Sequence, residues 1–373
     1  MKTVCELNRC AGCGACVARC PKNAVRVVDD CKALNATIDP ALCVDCGLCE
    51  RVCPVVNPVE ATRPLEWRQG WAEDEAVRAA ASSGGVATAL AQAFVENGGV
   101  VCSCVWRAGN FVFEFAQTKE EVAKFAGSKY AKSDPTGAHA EIAKTLKSGR
   151  KVLFIGLPCQ VAAVRNFTGD HPGLYAVDLI CHGSPSAEIL RKFLKERGYD
   201  VEKVGEIGFR KKTEYFLTVD GVGVEPPTVR DRYLFAFLKS LCCTENCYSC
   251  RYASVERVAD LTLGDSWGSE LPQEEQKRGV SLILRQTERG AELLASAALR
   301  LCDVDQEKAI ANNRQLRQPS ERPVEREKFY EMLRKTGSFN KTIRKLYPKI
   351  CLRQRVKAAL IRAKALGKRS GEG

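Results

Sequence analysis

Apolar positions recur along this chain at two periods, and the periods place its elements. Val86, Leu90 and Phe94, beside Ala87, Ala91 and Val95, repeat at helical spacing and predict a helix opening at about Gly85. Gly98 and Gly99 end it, and the unbroken apolar run from Val100 to Val105 predicts a buried strand. Two further runs, residues 151–155 and 174–180, read as strands. Each leads through a loop into a helical stretch, the first from Val161 and the second from Ser186 to about Arg197, with Pro185 suited to the first turn. Units of this kind lay their strands side by side in a parallel sheet, so the carboxyl ends gather along one edge. Near the N-terminus the pattern shrinks to two short strands, at residues 23–29 and 36–39, with little apolar sequence around them.

The cysteines change the picture. The 373 residues include 20 cysteines and 3 histidines, and the N-terminal cysteines are spaced regularly. Cys10, Cys13, Cys16 and Cys20 precede Pro21; Cys43, Cys46, Cys49 and Cys53 precede Pro54 with the same intervals, 33 residues later. This duplicated C-x2-C-x2-C-x3-C-P run is the bacterial pattern for [4Fe–4S] clusters, in which the fourth cysteine ligates the other cluster. The expected ligand sets are therefore Cys10, Cys13, Cys16 and Cys53, and Cys43, Cys46, Cys49 and Cys20. Gly12, Gly14 and Gly47 let the backbone come close to the inorganic sulfide. Zinc would call for separated pairs of ligands and not for two runs ending in Cys-Pro. Cys5 and Cys31 fall outside the pattern and read as packed or incidental thiols. No apolar run reaches the roughly 18–20 residues that cross a bilayer, and the first residues do not resemble a secretory signal. The expected location is cytoplasmic, where reduced thiols serve as metal or redox ligands and not as a disulfide scaffold. So few histidines disfavour His-based metal sites and His-centred hydrolysis.

Further on, Cys159 and Cys181 each fall just past a predicted strand, and Cys247 and Cys250 form a C-x2-C preceded by Cys242 and Cys243. Spacing leaves three readings open: a third [4Fe–4S] cluster on Cys159, Cys181, Cys247 and Cys250; a compact zinc knot on Cys242, Cys243, Cys247 and Cys250; or a redox-active or merely buried pair. Ser82, Ser83, Gly84 and Gly85 stand at the opening of the first predicted helix. They suit either a bound phosphate or a plain helix cap.

These residues recur together in one known pattern. Ser82, Ser83, Gly84 and Gly85; Gly127, Ser128, Lys129 and Tyr130; the stretch from Gly156 to Gln160 around Cys159; the stretch from Cys181 to Pro185; Cys247 and Cys250; and residues 259–268 around Asp265 stand in an order and spacing that resembles the coenzyme F420 hydrogenase/dehydrogenase beta-subunit family, in its form with a fused N-terminal ferredoxin module. The resemblance runs from about residue 5 to residue 300. It implies a fold of class α/β (α+β), with a small two-cluster ferredoxin-like domain at 1–60 and a mixed α/β flavin-binding domain at 61–340; charge and apolar spacing set apart a basic amphipathic tail at 341–373. It implies a flavin, FAD or FMN, beside a third [4Fe–4S] cluster on Cys159, Cys181, Cys247 and Cys250. It implies flavin contacts from Ser82, Ser83, Gly84, Gly85, Gly127, Ser128, Lys129 and Tyr130, with Arg210 and Asp265 near them. The chain departs from the family pattern at Lys211 and at Cys242 and Cys243.

The function expected is an iron–sulfur flavoprotein oxidoreductase. Single electrons enter through the N-terminal clusters, and a hydride is exchanged with a small organic acceptor or donor, deazaflavin-like or unassigned. One alternative is an electron-transfer subunit that serves a separate catalytic partner. Another is a zinc-stabilised interaction protein. The net charge of +12 is concentrated at the end of the chain: residues 341–373 hold eleven Lys or Arg and one acid. Leu352, Val356, Leu360 and Leu366 run as a stripe among those charges, suited to peripheral contact with a membrane face or to a ferredoxin or other redox protein or subunit. Around that stripe no aromatics are interleaved, so nucleic acid is not an expected partner.

Overall fold

The computed structural model describes residues 2–169 and 171–369, with side chains to residue 363. The duplicated N-terminal segment builds one small layer. Strands β1 (Lys2–Thr3), β2 (Val25–Asp29) and β3 (Leu34–Ile38) pair antiparallel in the order β1-β3-β2. Each cysteine run leads into a short helix, Ala15–Arg19 or Leu48–Arg51, entered through a left-handed glycine, Gly14 or Gly47. A Cβ on Gly14 would lie 2.0 Å from Thr136 Oγ1, so this glycine is also where the segment seats against the helix Thr136–Lys147.

The rest of the chain is organised around a second, larger sheet. After β4 (Glu66–Ala72), β5 (Val100–Arg107), β6 (Asn110–Ala116), β7 (Val152–Gly156) and β8 (Leu174–Leu179), three strands leave it: β9 (Ile207–Lys211), β10 (Glu214–Val219) and β11 (Val222–Gly223) make a separate antiparallel sheet. Strands β12 (Leu261–Asp265), β13 (Ser281–Arg285) and β14 (Leu299–Asp303) return, giving the order β14-β4-β13-β12-β8-β7-β5-β6. The central four, β12, β8, β7 and β5, run parallel, and antiparallel strands flank them.

That parallel centre explains the unbroken apolar runs, because such strands are covered on both faces. Along β7, Leu153 and Ile155 face the helix Val86–Glu96 together with Tyr175 and Val177 of β8. Val152 and Phe154 face Ile142, Leu146 and Val161 on the other side, with Leu174 and Ala176. A buried ion pair ties the sheet to the loop that carries Cys250. Arg257 meets Asp178 at 2.8 Å and donates to Tyr252 O at 2.7 Å, which fixes the chain just after that cysteine.

Two helix starts differ from expectation. The first helix after β7 is Pro158–Thr168, so Pro158 occupies its first turn and Cys159 lies inside the helix, not in the loop before it. The next is Ala187–Lys195, capped by the Ser186 hydroxyl; Pro185 sits outside it, bridged to Cys243. A third core joins β9 and β10 to the helices Ala187–Lys195, Arg232–Leu238, Arg326–Thr336 and Phe339–Leu346. Ile343 is fully buried there, so the basic segment expected as a tail from 341 begins inside the folded body. On the last helix, Pro348–Arg369, Leu352, Val356 and Leu360 are exposed; the Leu366 side chain lies outside the described residues. Among the described residues no helix is long and apolar enough to cross a membrane.

Candidate functional site

Four sites, one buried cluster and three cavities numbered on from it, gather the cysteines and the motif residues. In the N-terminal layer, Cys10, Cys13, Cys16 and Cys53 are all buried in one cluster with Val4, Ala15, Val25, Ile38 and Val52. Gly12 N donates to Cys10 Sγ at 3.4 Å. The Cys5 thiol, read as packed or incidental, is packed in the same buried cluster. Cys43, Cys46 and Cys49 line a second cavity of about 100 Å³ together with Cys20 from the first run, whose sulfur accepts from Ala24 N at 3.3 Å. Cys46 is exposed, and Leu42 and Val44 beside it are exposed apolar residues.

The third cavity, about 70 Å³, brings together Cys159, Cys181, Cys247 and Cys250 from three separate elements. The parallel pairing of β7 and β8 sets the first two side by side, and the loop held by Arg257 supplies the others. Cys181 Sγ accepts from Gly183 N at 3.3 Å, and Thr244 Oγ1 lies 3.4 Å from Cys247 Sγ. Burial pushes the Cys159 and Cys181 thiols up to about 12, so four thiolates need compensation here. Cys242 and Cys243 are fully buried but lie outside this wall. Among the described residues, no three Cys, His, Asp or Glu side chains converge as one metal ion requires. A single zinc draws its donors to about 2.0–2.3 Å from one point. A cubane spreads four thiolates over separate corners, and the all-sulfur donor sets suit that group.

Ala11, Pro54 and Val55 of the N-terminal layer also line this third cavity, whereas none of Cys20, Cys43, Cys46 and Cys49 does. The buried set of the duplicated run is thus the inner one and the exposed set the outer.

Beyond the third cavity lies a larger one, about 440 Å³, at the carboxyl edge of the parallel strands. Its walls include Ser82, Ser83, Gly85, Gly127, Ser128, Lys129, Tyr130, Arg210 and Asp265. Gly84, expected among the contacts, is not in the wall. Its N–H donates to Ser281 Oγ at 3.1 Å, and a Cβ there would lie 2.4 Å from Gly70 O, so its role is close packing against the sheet. Arg210 grips Asp265 through both carboxylate oxygens, at 2.7 and 2.9 Å, and donates to Ser82 O at 3.0 Å. Lys212 donates to Ala81 O and Ser83 O. Two cations thus hold the carbonyls of the turn, while the helix Val86–Glu96 opens its N-terminus into the cavity through Val86, Ala87 and Thr88. Lys129 caps the carbonyls of Phe125, Ala126 and Gly127, and burial lowers its pKa to about 8. The Tyr130 ring stacks on Phe237 at 4.5 Å. A helix N-terminus for phosphate, an aromatic floor and fixed cations are features that suit a flavin, FAD or FMN.

Sequence reasoning missed Tyr215, Phe237 and residues 312–315, all in this wall, and assigned no role to Trp267 within the quoted stretch 259–268. The polar pair Asn312 and Asn313 closing a helical stretch was the one local signal available. His182 is held by Phe237 O at 3.2 Å and Ser240 Oγ at 3.0 Å, and burial lowers its pKa.

With this geometry in place, comparison with known proteins is direct. Two stretches match the beta subunit of the family described as coenzyme F420 hydrogenase/dehydrogenase: residues 68–138 match its N-terminal part, and residues 149–307 match its C-terminal part. Residues 9–57 match a 4Fe-4S dicluster domain. The chain is 27% identical over 283 residues to the F subunit of the F(420)H(2) dehydrogenase of Methanosarcina mazei, covering 70% of this chain and 78% of that one. It is 27% identical over 319 residues to the coenzyme F420-dependent sulfite reductase of Methanocaldococcus jannaschii, covering 78% of this chain and 46% of that one, so it spans about half of that relative. An uncharacterised protein of the same organism is 30% identical over 193 residues, 43% of this chain and 52% of the other. A chain of the F420-reducing [NiFe] hydrogenase complex from Methanosarcina barkeri superposes with a TM-score of 0.48 at 20% identity, covering 68% of this chain and 91% of that one. The chain belongs to the coenzyme F420 hydrogenase/dehydrogenase beta-subunit family and carries a 4Fe-4S dicluster domain ahead of it.

Proposed function

We propose that the protein is an iron–sulfur flavoprotein oxidoreductase, with [4Fe–4S] clusters on the three cysteine sets and FAD or FMN in the large cavity. The observation that carries this reading is a shared wall: Leu157, Cys181, His182, Gly183 and Ser184 line both the cavity of Cys159, Cys181, Cys247 and Cys250 and the large cavity beyond it. When bound, clusters carry single electrons and a flavin converts them to a hydride. The chain's own residues do the positioning. The turn at 82–85 and the helix behind it receive phosphate, Arg210 and Asp265 fix one side of the cavity, and Tyr130 on Phe237 supplies a flat surface. N–H donors from Gly12, Ala24 and Gly183 point at ligand sulfurs, which raises cluster potentials. Cys46 and its exposed apolar neighbours make the outer set the place where a ferredoxin or another redox protein delivers electrons. The exposed stripe of Leu352, Val356 and Leu360 is a further contact for a partner or an anionic membrane face.

An anaerobic screen of acceptors, followed at the flavin absorption band, tests this. Dithionite bleaches the band, and a deazaflavin or another hydride acceptor restores it. A band that reduces yet stays silent with every soluble acceptor favours the second reading, an electron-transfer subunit serving a separate catalytic partner. That reading draws support from the relative that is itself named as a subunit. Absence of any flavin band contradicts both.

A further inference from the structure

One buried cation belongs to none of the motifs and stands between two cysteine sets. Lys132 is 7% exposed, and its ammonium donates to Ala11 O at 3.0 Å. Ala11 lies between Cys10 and Cys13, inside the inner N-terminal set. The same side chain lines the cavity of Cys159, Cys181, Cys247 and Cys250. Its backbone N–H donates to Pro185 O at 2.8 Å, which ties it to the loop after Cys181.

A buried ammonium is costly unless an anion answers it. Among the described residues, no carboxylate pairs with Lys132, and one carbonyl accepts from a group with three N–H donors. The negative charge facing it comes from thiolates. The wall it shares holds Cys159, Cys181, Cys247 and Cys250, and the carbonyl it binds lies between Cys10 and Cys13. A cubane on four thiolates is an anion, and reduction makes it more so. A fixed positive charge at short range therefore favours the reduced form of whatever it faces.

We propose that Lys132 is a positioning residue for electron transfer: its ammonium is the shared counter-charge of the inner N-terminal cluster and the third cluster, and it raises both reduction potentials together while leaving the outer N-terminal cluster untouched. This rests on the reading of a third cluster at Cys159, Cys181, Cys247 and Cys250.

The test is a redox titration of the anaerobically isolated full chain, followed by electron paramagnetic resonance, with iron and sulfide counted in each sample. Each cluster is assigned from the signal lost in the matching cysteine variant. Lys132→Gln keeps a donor for Ala11 O and removes the charge; Lys132→Met removes both; Lys132→Arg keeps both. In the two neutral variants the inner and third clusters become about tenfold harder to reduce, which is about 59 mV for a one-electron couple. The outer cluster does not move, and Lys132→Arg stays near wild type. Potentials that all stay put, or all shift equally, overturn the proposal. Iron loss at the two facing sites in both neutral variants, with Lys132→Arg intact, supports it; iron loss from Lys132→Arg as well marks a packing role and overturns it. If the wild-type chain itself holds only two clusters' worth of iron, the third-cluster reading fails. If it holds three and no potential moves, only the role of Lys132 fails.

Discussion

Stripping iron from the protein anaerobically unfolds residues 2–57 and leaves the eight-stranded sheet standing. The reason is the composition of the smaller layer. Its sheet has three short strands, and the core beneath them is made largely of Cys10, Cys13, Cys16 and Cys53 themselves, with Val4, Ala15, Val25, Ile38 and Val52. A segment of this size buries too little apolar surface to fold alone. Where ligands converge only in the folded state, metal binding energy is folding energy, on the order of 10 kcal/mol for structural metal sites. Hydrogen exchange reads the result directly. Amides of Val25–Asp29 and Leu34–Ile38 lose about 100-fold or more of their protection, a change that needs only about 3 kcal/mol. Amides of Val152–Gly156 and Leu174–Leu179, covered on both faces, keep theirs. Retained protection in Val25–Asp29 after complete iron removal contradicts this.

Replacing Cys181 by alanine removes about four irons per chain and leaves the N-terminal clusters in place. Cys181 stands at the end of β8, receives Gly183 N–H, and lies in the walls of both the third cavity and the large one. On the proposed reading, its loss opens one corner of a third cubane and breaks the contact through which electrons would reach the large cavity. Reduction of the flavin band by a low-potential donor protein slows by about 100-fold or more, since that path depends on the intervening cofactor. Cys243→Ala is the control. That thiol is fully buried beside Gly183 but outside the cavity wall, so iron content stays at the wild-type level. Full iron content in Cys181→Ala, or equal loss in Cys243→Ala, contradicts the assignment.

What could be read from the sequence was local. The cysteine intervals, the left-handed glycines ahead of each short helix and the apolar runs at 151–155 and 174–180 each express a constraint within a few residues. So did the turn at 82–85, three of whose four residues line the large cavity. What could not be read depends on pairings far apart along the chain. Strand β4 inserts between β13 and β14, more than 200 residues later, and nothing in its own pattern requires that. Gly84 read as a contact because its motif names it, yet the close approach of Gly70 O makes it a packing residue. Lys132 acquires meaning only once the N-terminal layer is docked. Tyr215 and Phe237 reach the cavity from separate elements, with no motif to announce them. Ile343 carries a basic neighbourhood but a core position, which charge counting alone assigns to a solvated tail.

On the proposed reading, cubane clusters and a flavin share this chain. Isolation without air, followed by iron, acid-labile sulfide, zinc and flavin analysis of one sample, tests it most directly. Iron and sulfide in equal amounts for three clusters, one flavin per chain and no stoichiometric zinc are expected. A colourless protein with zinc as its metal and no flavin would contradict it.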